Sequence, residues 1–307
     1  MNLKKIALLV IAGAVLPGLA WGDYERGLAE YRAGKAASAL FEWSKSAEAG
    51  DVKSQFRLAQ MFERGDGTPR QPKLAVKWYS LAANGGHTDA QQALARMYIT
   101  GAGMERPSPE KAVHLLTIAS NSGDNMAAFL LAQLYQEGIG AHKDIQQAAR
   151  YYKQAANHGV AAAQNNLGNL YENGLGVKQD DRLAAKWYLR AAKTGDAFAQ
   201  NNIGNLYANG KGVSLNHAWA VFWFAMSQRQ GNTAATENIK KSLPHLQRYI
   251  VKQKANIRSG NSAQHSKVAQ VEKGQSLPVL GSGDGWTQVY LESSQQLGWV
   301  ASSLLSQ

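Results

Sequence analysis

Cysteine is absent from the 307-residue chain. Disulfide staples, thiolate chemistry and lipidation at a cysteine beside a cleavage site are excluded with it. Beyond the N-terminal stretch, no segment reaches the roughly 20 apolar residues that a membrane helix needs. Compact catalytic signatures are missing as well. His87, His114, His142, His158, His217, His245 and His265 are scattered, with no His-Glu-x-x-His pair among them. There is no Gly-x-Ser-x-Gly elbow and no phosphate-cradling loop. Catalytic residues, cofactors and metal ions are therefore not expected, and neither is an enzyme. Acidic residues are the scarce charge, 22 against 33 Lys and Arg, for a formal net charge of +11. Eight bases and three acids fall within 240–307. That excess suits an anionic cell-wall or membrane surface, and equally an ordinary basic soluble one. A nucleic-acid partner is not expected.

What is present is an ordinary globular balance, with 45% apolar and 18% charged residues. The first 22 residues stand apart. Lys4 and Lys5 precede an uncharged, mostly aliphatic run from Ile6 to Leu16, then Pro17 and Ala20-Trp21-Gly22. A charged start, a short apolar stretch and small residues at −3 and −1 predict a signal peptide over 1–22, cleaved after Gly22. The mature chain is then periplasmic or secreted and not an integral membrane protein; an uncleaved N-terminal anchor is the alternative. A bacterial periplasm suits a chain with no thiol to mis-oxidise.

The remainder repeats. Gly-x-Gly pairs occur at Gly65/Gly67, Gly101/Gly103, Gly138/Gly140, Gly174/Gly176 and Gly210/Gly212, at spacings of 36, 37, 36 and 36. Gly50, Gly86, Gly123, Gly159, Gly195 and Gly231 keep the same rhythm. Between the glycines the period is helical. Ala163, Leu167, Leu170 and Tyr171 share one face, and Gly174 ends that helix as a residue tolerant of positive φ. The next helix starts at an Asp180 cap and buries Ala184, Trp187, Tyr188 and Ala191. Asp144, Asn216 and Ser108 occupy matching cap positions, the last followed by Pro109. Each unit is thus a helix hairpin, with small residues such as Gly168, Ala184 and Ala191 where helices approach. One hairpin cannot bury both faces, so neighbours stack into a solenoid with a concave surface. The Gly-x-Gly pairs follow helices, so they read as turns and not as phosphate loops.

Two runs carry a family resemblance. Ala-x-x-x-Leu-Gly-x-Leu-Tyr-x-x-Gly-x-Gly-Val (163–177) and Ala-x-x-Trp-Tyr-x-x-Ala-Ala-x-x-Gly (184–195) resemble the Sel1-like repeat, a relative of the tetratricopeptide repeat. The likeness covers about 24–232, as one degenerate and five fuller units. The third unit departs most, with Met104 for Val and Leu115 for Trp. The resemblance implies an adaptor for protein partners, often at a bacterial envelope. Enzymatic associations in the family rest on cysteine-stapled repeats, which this chain lacks.

From Arg248 the period turns to alternation, with short strands between Gly, Ser and Asn turns: Tyr249–Val251, Val268–Val271, Leu277–Leu280, Trp286–Leu291 and Gly298–Val300. Asn-x-Arg-Ser-Gly, Gly-Trp-x-x-Val and Gly-Trp-Val resemble a bacterial SH3-like domain, which implies docking on cell-wall peptides or on protein. Trp286 and Trp299 are candidates for its groove; filling the core of a small barrel is the other reading. The predicted fold class is mainly α: a right-handed α/α solenoid of Sel1-like hairpins followed by a small all-β SH3-like barrel. Its divisions are 1–22 signal peptide, 23–232 solenoid, 233–247 capping helix and 248–307 SH3-like domain.

The expected function is an exported, non-catalytic scaffold. If the hairpins dock as tetratricopeptide units do, the first helix of each lines the concave face. Residues two before and two after the buried anchor then face a peptide. These are Asn165 and Asn169, Asn201 and Asn205, Phe129 and Gln133, Gln92 and Arg96, and Phe56 and Gln60. Asparagine both donates and accepts, matching a backbone amide, and Arg96 can fork onto a carboxylate. Duplicated solvent-facing asparagines without a ligand are the alternative. A second functional reading makes peptidoglycan the target and the SH3-like domain the main binding module.

Overall fold

A computed structural model describes residues 23–307; the expected signal peptide lies outside the described residues. Among these, thirteen helices precede seven strands. They form two compact units. One runs to Ala127 and includes Glu137–Lys143; the other holds Ala128–Gln136 and Asp144–Gln307.

The first unit contains the hairpins α1 (Asp23–Arg32) and α2 (Ala36–Glu48), α3 (Val52–Arg64) and α4 (Pro72–Asn84), and α5 (Thr88–Thr100) and α6 (Pro109–Asn121). Helix α7 (Asn125–Glu137) carries the division within it. The second unit continues with α8 (Ile145–Asn157), α9 (Ala161–Asn173), α10 (Asp181–Lys193), α11 (Ala197–Asn209), α12 (His217–Gln228) and α13 (Thr233–Ser242). The degenerate leading segment therefore does supply a hairpin.

Each hairpin is built from the pattern of its own unit. Asp180 accepts a hydrogen bond from the Leu183 amide at 2.9 Å, and Asp144 and Asn216 cap α8 and α12 alike. Ser108 does not cap with its side chain. Helix α6 starts at Pro109 as expected, but the Lys111 amide is already taken by the Ser108 carbonyl at 3.0 Å. At the other end, Gly174 adopts φ +66° and receives the last turn of α9. Inside, Ala184, Tyr188 and Ala191 are fully buried and Trp187 nearly so. Gly168 is needed for this closeness: a Cβ there would lie 2.7 Å from the Tyr188 ring.

The second glycine of each pair serves the next level. Gly176 has φ +68°, and a Cβ on it would lie 2.5 Å from the Ile145 carbonyl oxygen at the start of α8. Turn and neighbouring hairpin meet backbone to backbone. A buried glutamine ties hairpins in the same way, Gln164 donating to the Ala156 carbonyl at 3.0 Å and Gln200 to that of Ala192 at 3.2 Å. Gln55 and Gln91 do likewise in the first unit.

The capping stretch is shorter than predicted. Helix α13 ends at Ser242 and a 3-10 turn, Leu243–His245, follows, because Pro244 has no amide hydrogen to continue the ladder. The strands are β1 (Arg248–Val251), β2 (Ala255–Arg258), β3 (Lys267–Val271), β4 (Ser276–Gly283), β5 (Trp286–Leu291), β6 (Gln296–Ala301) and β7 (Leu305–Ser306), in the antiparallel order β3-β2-β6-β5-β4-β1-β7. The sheet does not close into the predicted barrel. Its edge strands β3 and β7 do not pair, and β7 offers only two residues. The sheet instead wraps an aliphatic core to which every strand contributes, including Val251, Ile257, Val271, Leu277, Val289, Val300 and Leu305.

The opposite face of the sheet packs on the end of the helical array. Tyr290, with 3% of its surface exposed, enters a cluster of Val221, Phe224, Ile239 and Leu243 together with Leu280 and Leu297. Its hydroxyl donates to Gln228 Oε1 at 3.2 Å, and Gln228 Nε2 donates to Thr236 and Gln295.

Candidate binding surfaces

The structure sorts the predicted groove residues into tied and free. Asn165 and Asn201 are half-buried and spent on the fold. Asn202 Nδ2 donates to Asn165 Oδ1, and Asn238 Nδ2 to Asn201 Oδ1, both at 3.0 Å. These bonds form an amide ladder from α9 to α11 to α13. Asn169 is exposed, although it hydrogen-bonds Tyr188, and Asn205 is half-buried. Gln133 is exposed. Phe129 is drawn inward, its ring 6.0 Å from that of Tyr152 in a tilted pair. In the first unit Arg96 is exposed and donates to Glu63 at 3.0 Å. Phe56 is buried, stacked 4.2 Å from the His87 ring. Gln92 donates to Asp124, and Gln60 accepts from Arg57.

A second pairing was not read from the sequence. Tyr188 donates to Glu172 at 2.9 Å, Tyr152 to Gln136 at 2.9 Å and Tyr79 to Glu63 at 2.6 Å, each sixteen residues apart. In the two fuller units that lack the hydroxyl, at Leu116 and Phe224, the acceptor position holds Ile99 and Ala208. Donor and acceptor come and go together along the chain, a signal that comparing the repeats could have supplied. Burial, then the neighbouring carboxylate, raises the Tyr188 phenol far above its ordinary range; burial and the hydrogen bond to Glu63 do the same for Tyr79. Tyr188→Phe is expected to cost about 1 kcal/mol, read as a shift in urea midpoint. The loss stays small because Glu172 keeps Lys211 at 3.4 Å.

On the sheet, Trp286 and Trp299 are both half-buried and lie outside the aliphatic core, so neither fills it. They alternate with Thr287 and Val300, placing them on the outer face. Trp299 sits opposite Gln288 and lines a cleft with Trp219 and Phe222 of α12. Trp286 faces Ala301 across the strands and takes no part in that cleft. Nearby, His217 and His245 stack at 4.2 Å, and burial followed by the second imidazole lowers the His217 pKa. Among the described residues, no group of three or more His, Asp or Glu is placed to hold a metal ion. No described helix is long and apolar enough to cross a membrane.

The Sel1 repeat family matches residues 52–87, 88–124, 125–160, 161–196 and 197–232, more than half of the chain. This protein belongs to the Sel1 repeat family. The bacterial SH3 domain family matches residues 254–306 of the same Sel1-repeat protein. Among solved structures it resembles a protective antigen of uropathogenic Escherichia coli displaying an SLR fold. The TM-score is 0.70 and the identity 30%, over 74% of this chain and 50% of the antigen. It also resembles a Sel1 repeat protein from Oxalobacter formigenes, with TM-score 0.64 and 32% identity, over 72% of this chain and 89% of that one. An uncharacterized protein of Neisseria meningitidis serogroup B is 29% identical over 52% of this chain. The match spans 34% of that relative's length and half of the E. coli antigen's.

Proposed function

We propose that this protein is an exported, non-catalytic adaptor of the bacterial envelope, gripping a protein partner along the first helices of its second unit. The observation that carries this reading is the row Gln133, Asn169 and Asn205, one polar amide per repeat on α7, α9 and α11. The amide ladder ties α9 to α11, so Asn169 and Asn205 are held relative to each other before a partner arrives. A preorganised row of donors and acceptors at repeat spacing suits an extended peptide backbone. Export rests on the charged, apolar and small-residue pattern of residues 1–22.

The bacterial SH3 match supports a second reading, in which the sheet contacts peptidoglycan and the repeats display it. One experiment has both arms: crosslinked affinity capture from an envelope extract, and co-sedimentation of the full chain with purified sacculi. Asn169→Ala combined with Asn205→Ala is expected to deplete the captured protein at least several-fold. Stability should change by about 1–2 kcal/mol, since Asn169 is exposed but bonds Tyr188 and Asn205 is half-buried. Undiminished capture would remove the adaptor row. Sedimentation with sacculi that is indifferent to these substitutions would favour the second reading.

A further inference from the structure

Between helix α12 and the outer face of the sheet lies a cleft of about 270 Å³. We propose that it binds a neutral saccharide chain: pyranose rings lie against Trp219 and Trp299, and hydroxyls bond Asn261, Gln288 and Asp284. This proposal is independent of the adaptor row on α7, α9 and α11.

The aromatic wall is more than packing requires. At the positions of Trp219 and Phe222, α10 carries Leu183 and Lys186, and α8 carries Gln147 and Arg150. Burial in the repeat core accounts for Phe224, which stands where α10 has Tyr188 and α8 has Tyr152. It does not explain Trp219, which remains 49% exposed. A large indole left half in water is informative in a way that an exposed leucine is not. Trp219 is also braced, with Tyr207 stacked at 6.3 Å and the Phe222 ring edge-on at 5.5 Å. A fixed aromatic plane offers a flat apolar surface for the C–H face of a sugar ring.

The polar lining selects the class of ligand. The chain carries a net +11, yet no Lys, Arg or His lines this cleft. An anionic ligand would find no countercharge. Asn261 and Gln288 both donate and accept, whereas the Asp284 carboxylate only accepts. Hydroxyl groups satisfy all three. A proline-rich peptide, the other neutral chain that favours aromatic clefts, has no N–H at its prolines to offer Asp284. Gly281 and Gly283 leave the floor bare although neither has a positive φ and a Cβ on either would meet nothing within 4 Å. Neither backbone conformation nor packing requires glycine at these two positions; an open cleft does.

The test is an NMR titration of the indole N–H signals of the full chain, using hexasaccharides of glucose, galactose and N-acetylglucosamine separately. At least one is expected to shift the Trp219 and Trp299 signals saturably while Trp286 stays unmoved. Trp219→Ala should weaken that binding about tenfold, the scale of one lost aromatic contact. Trp286→Ala should leave it unchanged. Trp219 is half exposed, so its removal leaves the fold intact, checked by circular dichroism. Absence of saturable shifts with all three sugars would overturn the proposal, as would equal affinity in Trp219→Ala. A proline-rich peptide producing those shifts in their place would overturn it too.

Discussion

Gly176→Ala is expected to destabilise the second unit by about 3 kcal/mol, whereas Gly195→Ala should cost about 1–2 kcal/mol. Both glycines have positive φ, +68° and +101°, so both substitutions strain the backbone. Only Gly176 also meets another hairpin. Its added Cβ would lie 2.5 Å from the Ile145 carbonyl oxygen and 2.6 Å from the carbonyl carbon, whereas nothing lies within 4 Å of Gly195. A backbone carbonyl at the start of α8 cannot rotate aside as a side chain can. The α9–α10 hairpin must therefore move off α8, loosening Leu167, Leu170 and Trp187 in their shared cluster. In a repeat array, where stability is close to a sum of hairpins and interfaces, such damage is local but large. Hydrogen exchange should locate it in α8 to α10, and urea midpoints should rank the two variants. Equal losses would mean that only φ matters and that the hairpins do not bear on one another through this turn.

Tyr290→Ala is expected to release the sheet from α12 and α13. Removing a fully buried aromatic costs about 3–5 kcal/mol, and here it also strips Gln228 of the phenol it accepts from. The loss falls on one junction, because the sheet has its own aliphatic core on the opposite face. Exchange of amides in β4 to β6 and α13 should accelerate while α9 and α10 remain protected. Tyr290→Phe keeps the packing and forfeits only the bond to Gln228, so about 1 kcal/mol is expected. Should the Ala variant leave exchange in α13 and the sheet unaltered, the cluster around Tyr290 does not join them.

Much of this architecture was legible in one dimension. The rhythm of Gly174 and its equivalents located the helix ends, and Asp144, Asp180 and Asn216 located the starts. Alternation placed most of the strands. The failures share a cause. Ser108 looked like a cap because its residue type is right, but its own carbonyl had already taken the amide. The barrel looked closed because short strands with turns suggest closure, yet closure depends on two edges whose residues lie far apart in the chain. Phe129 occupied a groove position by spacing and was drawn inward by Tyr152. The asparagines read as a display because each looked free by itself.

The sequence by itself determined the repeat, the hairpin within each unit, the small residues that let helices touch, and the change of period at Arg248. All of these are set by groups within about one turn or one 36-residue unit of each other, so local pattern carries them. Tertiary structure alone decided which polar groups remain available. Asn165 and Asn201 are consumed by partners 37 residues away, whereas Asn169, Asn205 and Gln133 keep their exposed or half-buried edges. It also decided that Trp299, one of two similar tryptophans, stands across from Trp219. Whether a hydrogen-bonding or aromatic side chain is free to bind depends on what packs against it, and that neighbour is chosen by the fold.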